Sequence, residues 1–147
     1  MPALRRLTLE DMDAAAAVHR ASFDRALPWL VGLHAPEEDR AFYRTQIFQS
    51  CQVWGAEQRG ALVGIIAFRR DWVEQLYVLP DLQRRGVGRA LLRVAQNAFP
   101  LLDLWTFQRN LPARRFYEAS GFVALRETDG SGNEEQEPDV LYRWERA

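Results

Sequence analysis

Short apolar runs alternate with amphipathic stretches from one end of the chain to the other. In the first third, this pattern predicts a strand over residues 4–9, a helix from there to about residue 22 and a second helix over residues 36–48. Each predicted helix opens on residues that favour a helix N-terminus. Thr8 is followed three residues later by Asp11, and Pro36 is followed by three acidic residues.

The rest of the chain predicts six strands and two more helices. Three strands come in series with short turns between them, over residues 53–56, 62–68 and 72–78, which favours an antiparallel meander. The elements that follow are a helix over 86–97, a strand over 101–107, a helix over 112–120 and strands over 122–127 and 140–144. This order predicts an α/β fold in which helices cover both faces of one mixed sheet.

The polar segment over residues 129–138 is predicted to be a connecting loop, because too little chain follows it to build a second core. We therefore expect a single domain over residues 1–147. Apolar residues make up 48% and charged residues 27% of the chain, which is typical of a globular protein. The net charge of -1 argues against bulk attraction to nucleic acid or to an anionic membrane.

Cys51 is the only cysteine, which excludes an intrachain disulfide and a cysteine-based metal cluster. We expect it to be a small buried hydrophobic residue and not a nucleophile. Neither a secretory signal nor a membrane-spanning run is visible in the sequence, so the expected location is the cytoplasm.

A strand, a loop and a helix meet within residues 76–92, where Gly86 and Gly88 open the predicted helix. Free backbone N–H groups and the helix dipole at such a point attract anions, and glycine lets the backbone approach a pyrophosphate. Arg84, Arg85 and Arg89 add positive charges suited to phosphates. A P-loop and a dinucleotide fingerprint are both excluded by the spacing. Taken alone, these residues also fit a helix that merely begins with glycine after a strand.

The wider context resembles two sequence blocks of the GNAT N-acetyltransferase superfamily. Residues 83–88 resemble its Q/R-x-x-G-x-G/A signature, and the match extends from Glu74 to Leu92. Residues 110–122 resemble its N-x-x-A-x-x-F-Y-x-x-x-G-F block. The N-terminal half matches only in its order of elements. The resemblance implies the acyl-CoA acyltransferase fold, with a mostly antiparallel central sheet in which two parallel strands splay apart.

The resemblance further implies that acetyl-CoA lies between those two strands. The backbone amides of residues 84–89 would hold its pyrophosphate, and one strand edge would pair with its pantetheine arm. The implied cofactor-binding residues are Leu76, Tyr77, Val78, Arg84, Arg85, Gly86, Val87, Gly88, Arg89 and Asn110. Two of them have an alternative interpretation: Asn110 is also a favourable helix N-cap, and Arg85 also fits a solvated surface charge.

Two residues are implied in catalysis. Tyr117 matches the family tyrosine whose hydroxyl can donate a proton to the departing thiolate, although it also fits a core aromatic. Glu74 is the candidate base, because strand alternation places it on the face of Leu76 and a carboxylate in an apolar strand is costly to bury. The alternative for Glu74 is an acid at an exposed strand end, near Arg69 and Arg70.

The implied activity is direct transfer of an acetyl group from acetyl-CoA to a primary amine, without a metal, and to a small molecule in preference to a protein. The alternative is a catalytically idle acyl-CoA-binding regulatory module on the same fold. An amine acceptor is the expected partner, nucleic acid and membrane are not, and a homodimer is left open. The candidate walls of the acceptor site are Trp29, Trp72 and His34, with attraction from Glu134, Glu135 and Glu137, whereas His19 is expected to be structural.

Overall fold

The computed structural model, which describes residues 2–147, contains one seven-stranded mixed sheet with helices on both of its faces. Every strand and helix predicted from the hydrophobic pattern is present, and in the predicted order. The strands are β1 (Ala3–Arg6), β2 (Gln52–Gln58), β3 (Ala61–Arg69), β4 (Asp71–Val78), β5 (Leu101–Phe107), β6 (Val123–Thr128) and β7 (Asp139–Glu145). The helices are α1 (Met12–Ala26), α2 (Pro36–Phe42), α3 (Phe48–Ser50), α4 (Val87–Ala98) and α5 (Leu111–Ala119).

The strand order across the sheet is β1-β2-β3-β4-β5-β7-β6, and only the β4–β5 pair is parallel. These two strands pair at only two positions, Asp71 with Leu102 and Trp72 with Asp103. Beyond those positions β4 stays paired with β3, and β5 stays paired with β7, so a gap opens between them. The predicted splay of two parallel strands is therefore confirmed.

The helices divide between two apolar cores, one on each face of the sheet. On one face, α1 packs Met12 and Ala16 against Ile65 of β3. On the other face, α4 packs Leu91 and Leu92 against side chains of β3 such as Ile66. Each fully buried aliphatic side chain contributes about 1.5–3 kcal/mol relative to an exposed one. Among residues 2–147, no helix has both the length and the apolar character needed to cross a membrane.

The second predicted helix is interrupted by a π-helical turn, Tyr43–Ile47, between α2 and α3. The turn directs Tyr43 and Ile47 into the core on the α1 face. At the beginning of this helix, the carboxylate of Glu38 accepts a hydrogen bond from the backbone N–H of Ala35 at 2.8 Å, as the acid-rich start predicted.

Strand β4 contains a β-bulge at Glu74. Across β3, Ala67 pairs with Gln75 and Phe68 pairs with Val73, so Glu74 has no partner in the ladder. As a result, Val73 and Leu76 contact the same core although they are three residues apart. The uninterrupted alternation expected over this strand is therefore wrong, because the bulge shifts the phase of its side chains.

Candidate active site

A cleft of about 850 Å³ fills the gap between β4 and β5. Its walls also include the end of α1, the loop that leads into α4 and the beginning of α5. Ten of the twelve site residues predicted from the sequence line it: Glu74, Leu76, Tyr77, Val78, Arg84, Gly86, Gly88, Arg89, Asn110 and Tyr117. The other two do not, since Arg85 lies on the exposed outside of the loop and the side chain of Val87 is buried in the core. The role predicted for Val87 uses its backbone N–H only.

The loop that leads into α4 is shaped by two residues with left-handed backbone, Arg84 with φ of 66° and Gly86 with φ of 84°. Gly86 is the N-cap of α4 and carries no side chain that would cover the free N–H groups of the first turn. The side-chain amide of Gln83 donates to the carbonyl of Val78 at 3.0 Å and ties the loop back to β4. The anion site expected at this helix N-terminus therefore opens into the cleft.

Four arginines line the cleft: Arg25, Arg84, Arg89 and Arg115. Within residues 2–147, none of the four forms a salt bridge with a carboxylate. Elsewhere in the chain, arginines such as Arg20, Arg109 and Arg143 each meet a buried acid. The cleft thus holds an excess of positive charge, as a ligand with several phosphates requires. Arg25 and Arg115 were not predicted as site residues, because the local sequence does not show that their sides of the helices face the cleft.

Tyr117 lies in the cleft and is 8% exposed. Its ring packs edge-on against Phe116 and Phe122, at centroid distances of 5.3 and 5.5 Å. Its hydroxyl has no hydrogen-bond partner in the part of the chain that the structure describes. Burial raises the pKa of Tyr117 well above its ordinary value. The hydroxyl is therefore protonated at neutral pH and free to donate.

Glu74 fits both interpretations that the sequence left open, a residue of the site and an acid near the end of a strand. Its side chain lines the cleft and is 32% exposed. Its Oε1 atom accepts a hydrogen bond from Nε of Arg69 at 2.8 Å, in an ion pair next to the β3–β4 turn. The Oε2 atom has no hydrogen-bond partner in the described chain, so one carboxylate oxygen is held in place and the other remains free to accept a proton.

Asn110 also serves in both of the ways considered. It is the N-cap of α5, where its Oδ1 atom accepts a hydrogen bond from the backbone N–H of Ala113 at 3.3 Å. It also lines the cleft. Because the cap uses the carbonyl oxygen of the side chain, its NH₂ group remains available as a donor.

His19 has the structural role that the sequence predicted. Its ring stacks on Tyr77 at a centroid distance of 4.3 Å, and its Nδ1 atom lies 2.7 Å from the hydroxyl of Tyr43. Burial lowers the pKa of His19 to about 4, so the ring is neutral at neutral pH. The ring of Tyr77 thus supports β4 from the α1 side, while other atoms of Tyr77 line the cleft. Cys51 is half-buried and does not line the cleft, and burial raises the pKa of its thiol.

A second cavity, of about 670 Å³, adjoins the cleft. Both are lined by Trp105, Thr106 and Phe107 of β5, and the second is enclosed by the loop between β6 and β7. Its remaining lining residues are Thr128, Asp129, Ser131, Gly132, Asn133, Glu135 and Asp139. Three of these residues, Asp129, Glu135 and Asp139, are acidic.

The acceptor walls expected from the sequence are corrected by this arrangement. Trp29, Trp72 and His34 line neither cavity. Of the three glutamates in the loop, only Glu135 does. Glu137 is buried and paired with Arg109 at 2.7 Å, and Glu134 points to His34 at 3.2 Å. Long-range pairing of this kind leaves no signal in the local sequence.

Comparisons with known proteins agree with the geometry. A family model described as an acetyltransferase (GNAT) domain matches residues 49–124, just over half of the chain. The Peptidyl-lysine N-acetyltransferase YiaC from Escherichia coli is 35% identical over 80 residues, which cover 54% of this chain and 55% of the relative. The match thus spans about half the length of the curated relatives.

Solved structures resemble the chain over its whole length. The apo-form of YjaB from Escherichia coli has a TM-score of 0.81 and 22% identity, covering 100% of this chain and 99% of that one. The PaiA N-acetyltransferase from Thermoplasma acidophilum, in complex with coenzyme A, has a TM-score of 0.75 and 19% identity, covering 99% of both chains. At these identities the likeness shows a shared fold.

Proposed function

Because the chain belongs to the GNAT acetyltransferase family, we propose that it transfers the acetyl group of acetyl-CoA directly to a primary amine. The observation that carries this proposal is the composition of the cleft between β4 and β5. Within residues 2–147, it is lined by four arginines without acidic partners and by Tyr117, a buried phenol whose hydroxyl has no hydrogen-bond partner there. A long ligand with phosphates at one end and a reactive thioester at the other matches both features.

The cleft fits acetyl-CoA in its chemistry as well as its size. The N-terminus of α4 and the side chains of Arg84 and Arg89 would hold the phosphates. The unpaired edge of β4 at Leu76 and Val78 offers backbone groups to the amides of the pantetheine arm, and the NH₂ group of Asn110 offers another donor. The fold is shared with a PaiA structure that contains coenzyme A, which supports this placement.

Two side chains would accept and donate the protons that the reaction transfers. The attacking amine must lose a proton, and the carboxylate of Glu74 would accept it, directly or through water. The departing sulfur must gain one, and the hydroxyl of Tyr117 would supply it. A covalent acetyl-enzyme on Cys51 is not part of the proposal, because that thiol lies outside the cleft and burial raises its pKa, which opposes formation of the nucleophilic thiolate.

The proposed acceptor is a primary amine, and two kinds of molecule carry one. The sequence analysis favours a small molecule, whereas YiaC is named for peptidyl-lysine. Both present the same ammonium group to the site. The catalytically idle binding module remains the competing function, and the free hydroxyl of Tyr117 inside the cleft weighs against it.

Calorimetry with acetyl-CoA, followed by thiol release with a panel of primary amines, tests the proposal. We expect stoichiometric binding of acetyl-CoA and release of CoA thiol that requires an amine. Binding without turnover of any small amine or lysine peptide would favour the idle module. An absence of acetyl-CoA binding would remove the proposal altogether.

A further inference from the structure

We propose that the second cavity is the acceptor site and that it selects primary amines carrying a further positive charge. This inference rests on the proposed acetyl transfer and adds the chemical class of the acceptor. The shared chemistry is an ammonium group with a second cation a few bonds away. A free diamine has it, and so does a lysine side chain that neighbours a basic residue in a peptide.

The position of the cavity supports this assignment. Trp105, Thr106 and Phe107 of β5 line both the cavity and the cleft, and β5 faces Glu74 of β4 across the splay. An amine bound in the cavity would therefore lie next to the cleft that is proposed to hold the thioester. Phe107 also contacts Phe23 of α1, at a centroid distance of 6.2 Å, which closes the cleft on that side.

The charge of the cavity is the main argument. Asp129, Glu135 and Asp139 line it, no arginine or histidine does, and the chain contains no lysine. Within residues 2–147, none of these three carboxylates forms a salt bridge. Negative charges gathered in a concave space repel one another, and a bound cation relieves that repulsion.

The buried carboxylates elsewhere in the chain show the contrast. Asp39 is paired with Arg20, Asp103 with Arg143 and Glu137 with Arg109. Each of these acids is satisfied by an arginine of the same chain, so its charge is not offered to a ligand. The cavity is thus a place beside the cleft where two partly buried acids, Glu135 and Asp139, and the exposed Asp129 form no salt bridge within residues 2–147.

The three acids of the cavity differ in how they are held. Asp139 accepts hydrogen bonds from the hydroxyl of Thr128 and, at 3.1 Å, from the amide of Asn133. Asp129 accepts one from the backbone N–H of Ser131 at 2.9 Å. The carboxylate of Glu135 accepts none from any other residue that the structure describes. Burial raises the pKa of Glu135, and the charges of Glu134 and Asp139 raise it further, whereas His34 acts in the opposite direction.

Aromatic rings complete the site. Trp105 and Phe107 line the cavity together with the carboxylates, and the faces of aromatic rings attract ammonium groups. The ring of Trp105 already attracts one cation, since the guanidinium of Arg126 lies 5.3 Å from its centroid. Arg126 itself does not line the cavity.

The loop that carries the acids is held firmly, so the charges are arranged before a ligand arrives. The amide of Asn133 donates to the carbonyl of Glu137 at 2.8 Å, and the carboxylate of Glu137 is fixed by Arg109. Preorganised charges bind a cation without the cost of ordering a mobile loop.

The test compares 1,4-diaminobutane with butylamine, a monoamine of the same length, using acetyl-CoA at saturation. We expect the diamine to have a kcat/KM at least about tenfold higher, which corresponds to a single favourable charge contact. This preference should shrink as salt is added, because ions screen charges that are not fully buried. Since all 19 basic residues are arginines, the enzyme offers no lysine side chain that competes as an acceptor.

Glu135→Gln is the diagnostic variant and Glu134→Gln is its matched control. Both remove one charge from adjacent loop positions, but Glu134 is exposed and lines neither cavity. Glu135→Gln should lower the kcat/KM of the diamine at least about tenfold more than that of the monoamine, mainly through KM. Glu134→Gln should leave the preference as it is. Equal loss with both amines, or the same effect from both variants, would overturn the inference.

A second arm separates the two sources of the ammonium group. A lysine peptide with a neighbouring arginine is compared with the same peptide carrying glutamine in place of that arginine. Greater turnover of the arginine peptide than of the diamine would identify a peptide acceptor, and the reverse would identify a small one. Turnover of monoamines without any preference for a second charge contradicts the inference alone, whereas no binding of acetyl-CoA contradicts the proposed function itself.

Discussion

The carboxylate of Glu137 accepts two hydrogen bonds from the guanidinium of Arg109, both at 2.7 Å. The side chain of Glu137 is only 4% exposed and also accepts a hydrogen bond from the indole N–H of Trp29 at 3.0 Å. The guanidinium in turn lies 3.9 Å from the centroid of that indole. These three residues join the turn after α1, the loop after β5 and the loop before β7, which together surround the end of the cleft and the second cavity.

Replacing Glu137 with glutamine should loosen this junction. The variant keeps the shape of the side chain but leaves the guanidinium without its charged acceptor, inside a well-packed contact. We expect the melting temperature to fall by about 3 °C or more, and the KM of the amine to rise while the Kd of acetyl-CoA stays the same. Thermal denaturation and steady-state kinetics measure the two effects.

The matched control for that experiment is Glu134→Gln in the same loop. Its carboxylate is exposed and lies 3.2 Å from His34 only, so the melting temperature should change by less than about 1 °C. If Glu137→Gln had the same melting temperature as the unmodified protein, the junction would not hold the loop in place.

Much of the fold could be predicted because it depends on local patterns. Apolar periodicity located all seven strands and the main helices, and Asn110 marked where α5 begins. The π-helical turn at Tyr43–Ile47 and the bulge at Glu74 could not be predicted. Both irregularities orient side chains toward partners that are distant in the sequence. Each adds only one residue to a regular element, so the hydrophobic periodicity of the element as a whole hardly changes.

The candidate site likewise has one part that the sequence could predict and one part that it could not. Its proposed phosphate end is built from consecutive residues around Gly86, so a motif was enough to predict it. The proposed acceptor end depends on contacts between distant segments, such as Trp29 with Glu137, which are 108 residues apart. Whether Glu137 or Glu135 faces the cavity depends on which of them meets Arg109, and no local pattern determines that.

Tyr117→Phe should lower kcat by about 10²–10⁴-fold, the range for one general acid. The hydroxyl has no partner in the described chain, so its removal should change neither the stability nor the Kd of acetyl-CoA appreciably. The control is Tyr142→Phe, whose ring centroid lies 6.3 Å away. Its hydroxyl bonds Arg114 and Glu118, so this variant should lose about 1–3 kcal/mol of stability and keep its kcat. Full activity of Tyr117→Phe would refute the proposed proton donor.

Arg84→Gln and Arg89→Gln should each weaken the binding of acetyl-CoA about tenfold, since each removes an unpaired charge from the cleft. Arg93→Gln, on the exposed face of α4 and outside the cleft, should have little effect. We also expect acetyl-CoA to bind more tightly than dephospho-CoA, and this difference should shrink in the two cleft variants. Calorimetry measures all of these affinities, and an unchanged Kd in both cleft variants would place the phosphates elsewhere.

Glu74→Gln should lower kcat/KM by about tenfold or more and shift the rising limb of its pH profile, because the variant removes the proposed proton acceptor. Glu57→Gln is the matched control: Glu57 also lies on a strand and pairs with an arginine, Arg5, at 2.5 Å, but lies outside the cleft. Its pH profile should coincide with that of the unmodified enzyme. An unshifted profile in Glu74→Gln would assign the base to another group or to water.

The stability of the fold should depend on pH, and His19 is the residue that we expect to cause this dependence. Burial is the largest cause of the lowered pKa of this ring, and the charge of Arg20 lowers it further, whereas Asp39 acts in the opposite direction. The folded protein therefore holds His19 neutral down to about pH 4, while the unfolded chain protonates it near pH 6.5. Protons then bind the unfolded state more tightly than the folded state throughout this interval.

Stability should consequently be constant above about pH 7 and should fall as the pH drops from there towards 4, by up to about 3 kcal/mol from His19. Urea unfolding between pH 7.5 and 5 measures this contribution, because Asp11, with a pKa of about 2, titrates only at lower pH. Glu135, whose pKa is raised by burial, acts in the opposite direction, so the comparison with the His19 variant identifies the part that comes from His19. In His19→Gln, whose amide still reaches the hydroxyl of Tyr43, the slope should largely disappear. His34→Gln is the control: His34 is partly exposed between Glu38 and Glu134, so its loss should leave the slope in place. A slope that survives in His19→Gln and vanishes in His34→Gln would show that the loop histidine, and not the core one, makes the fold sensitive to acid.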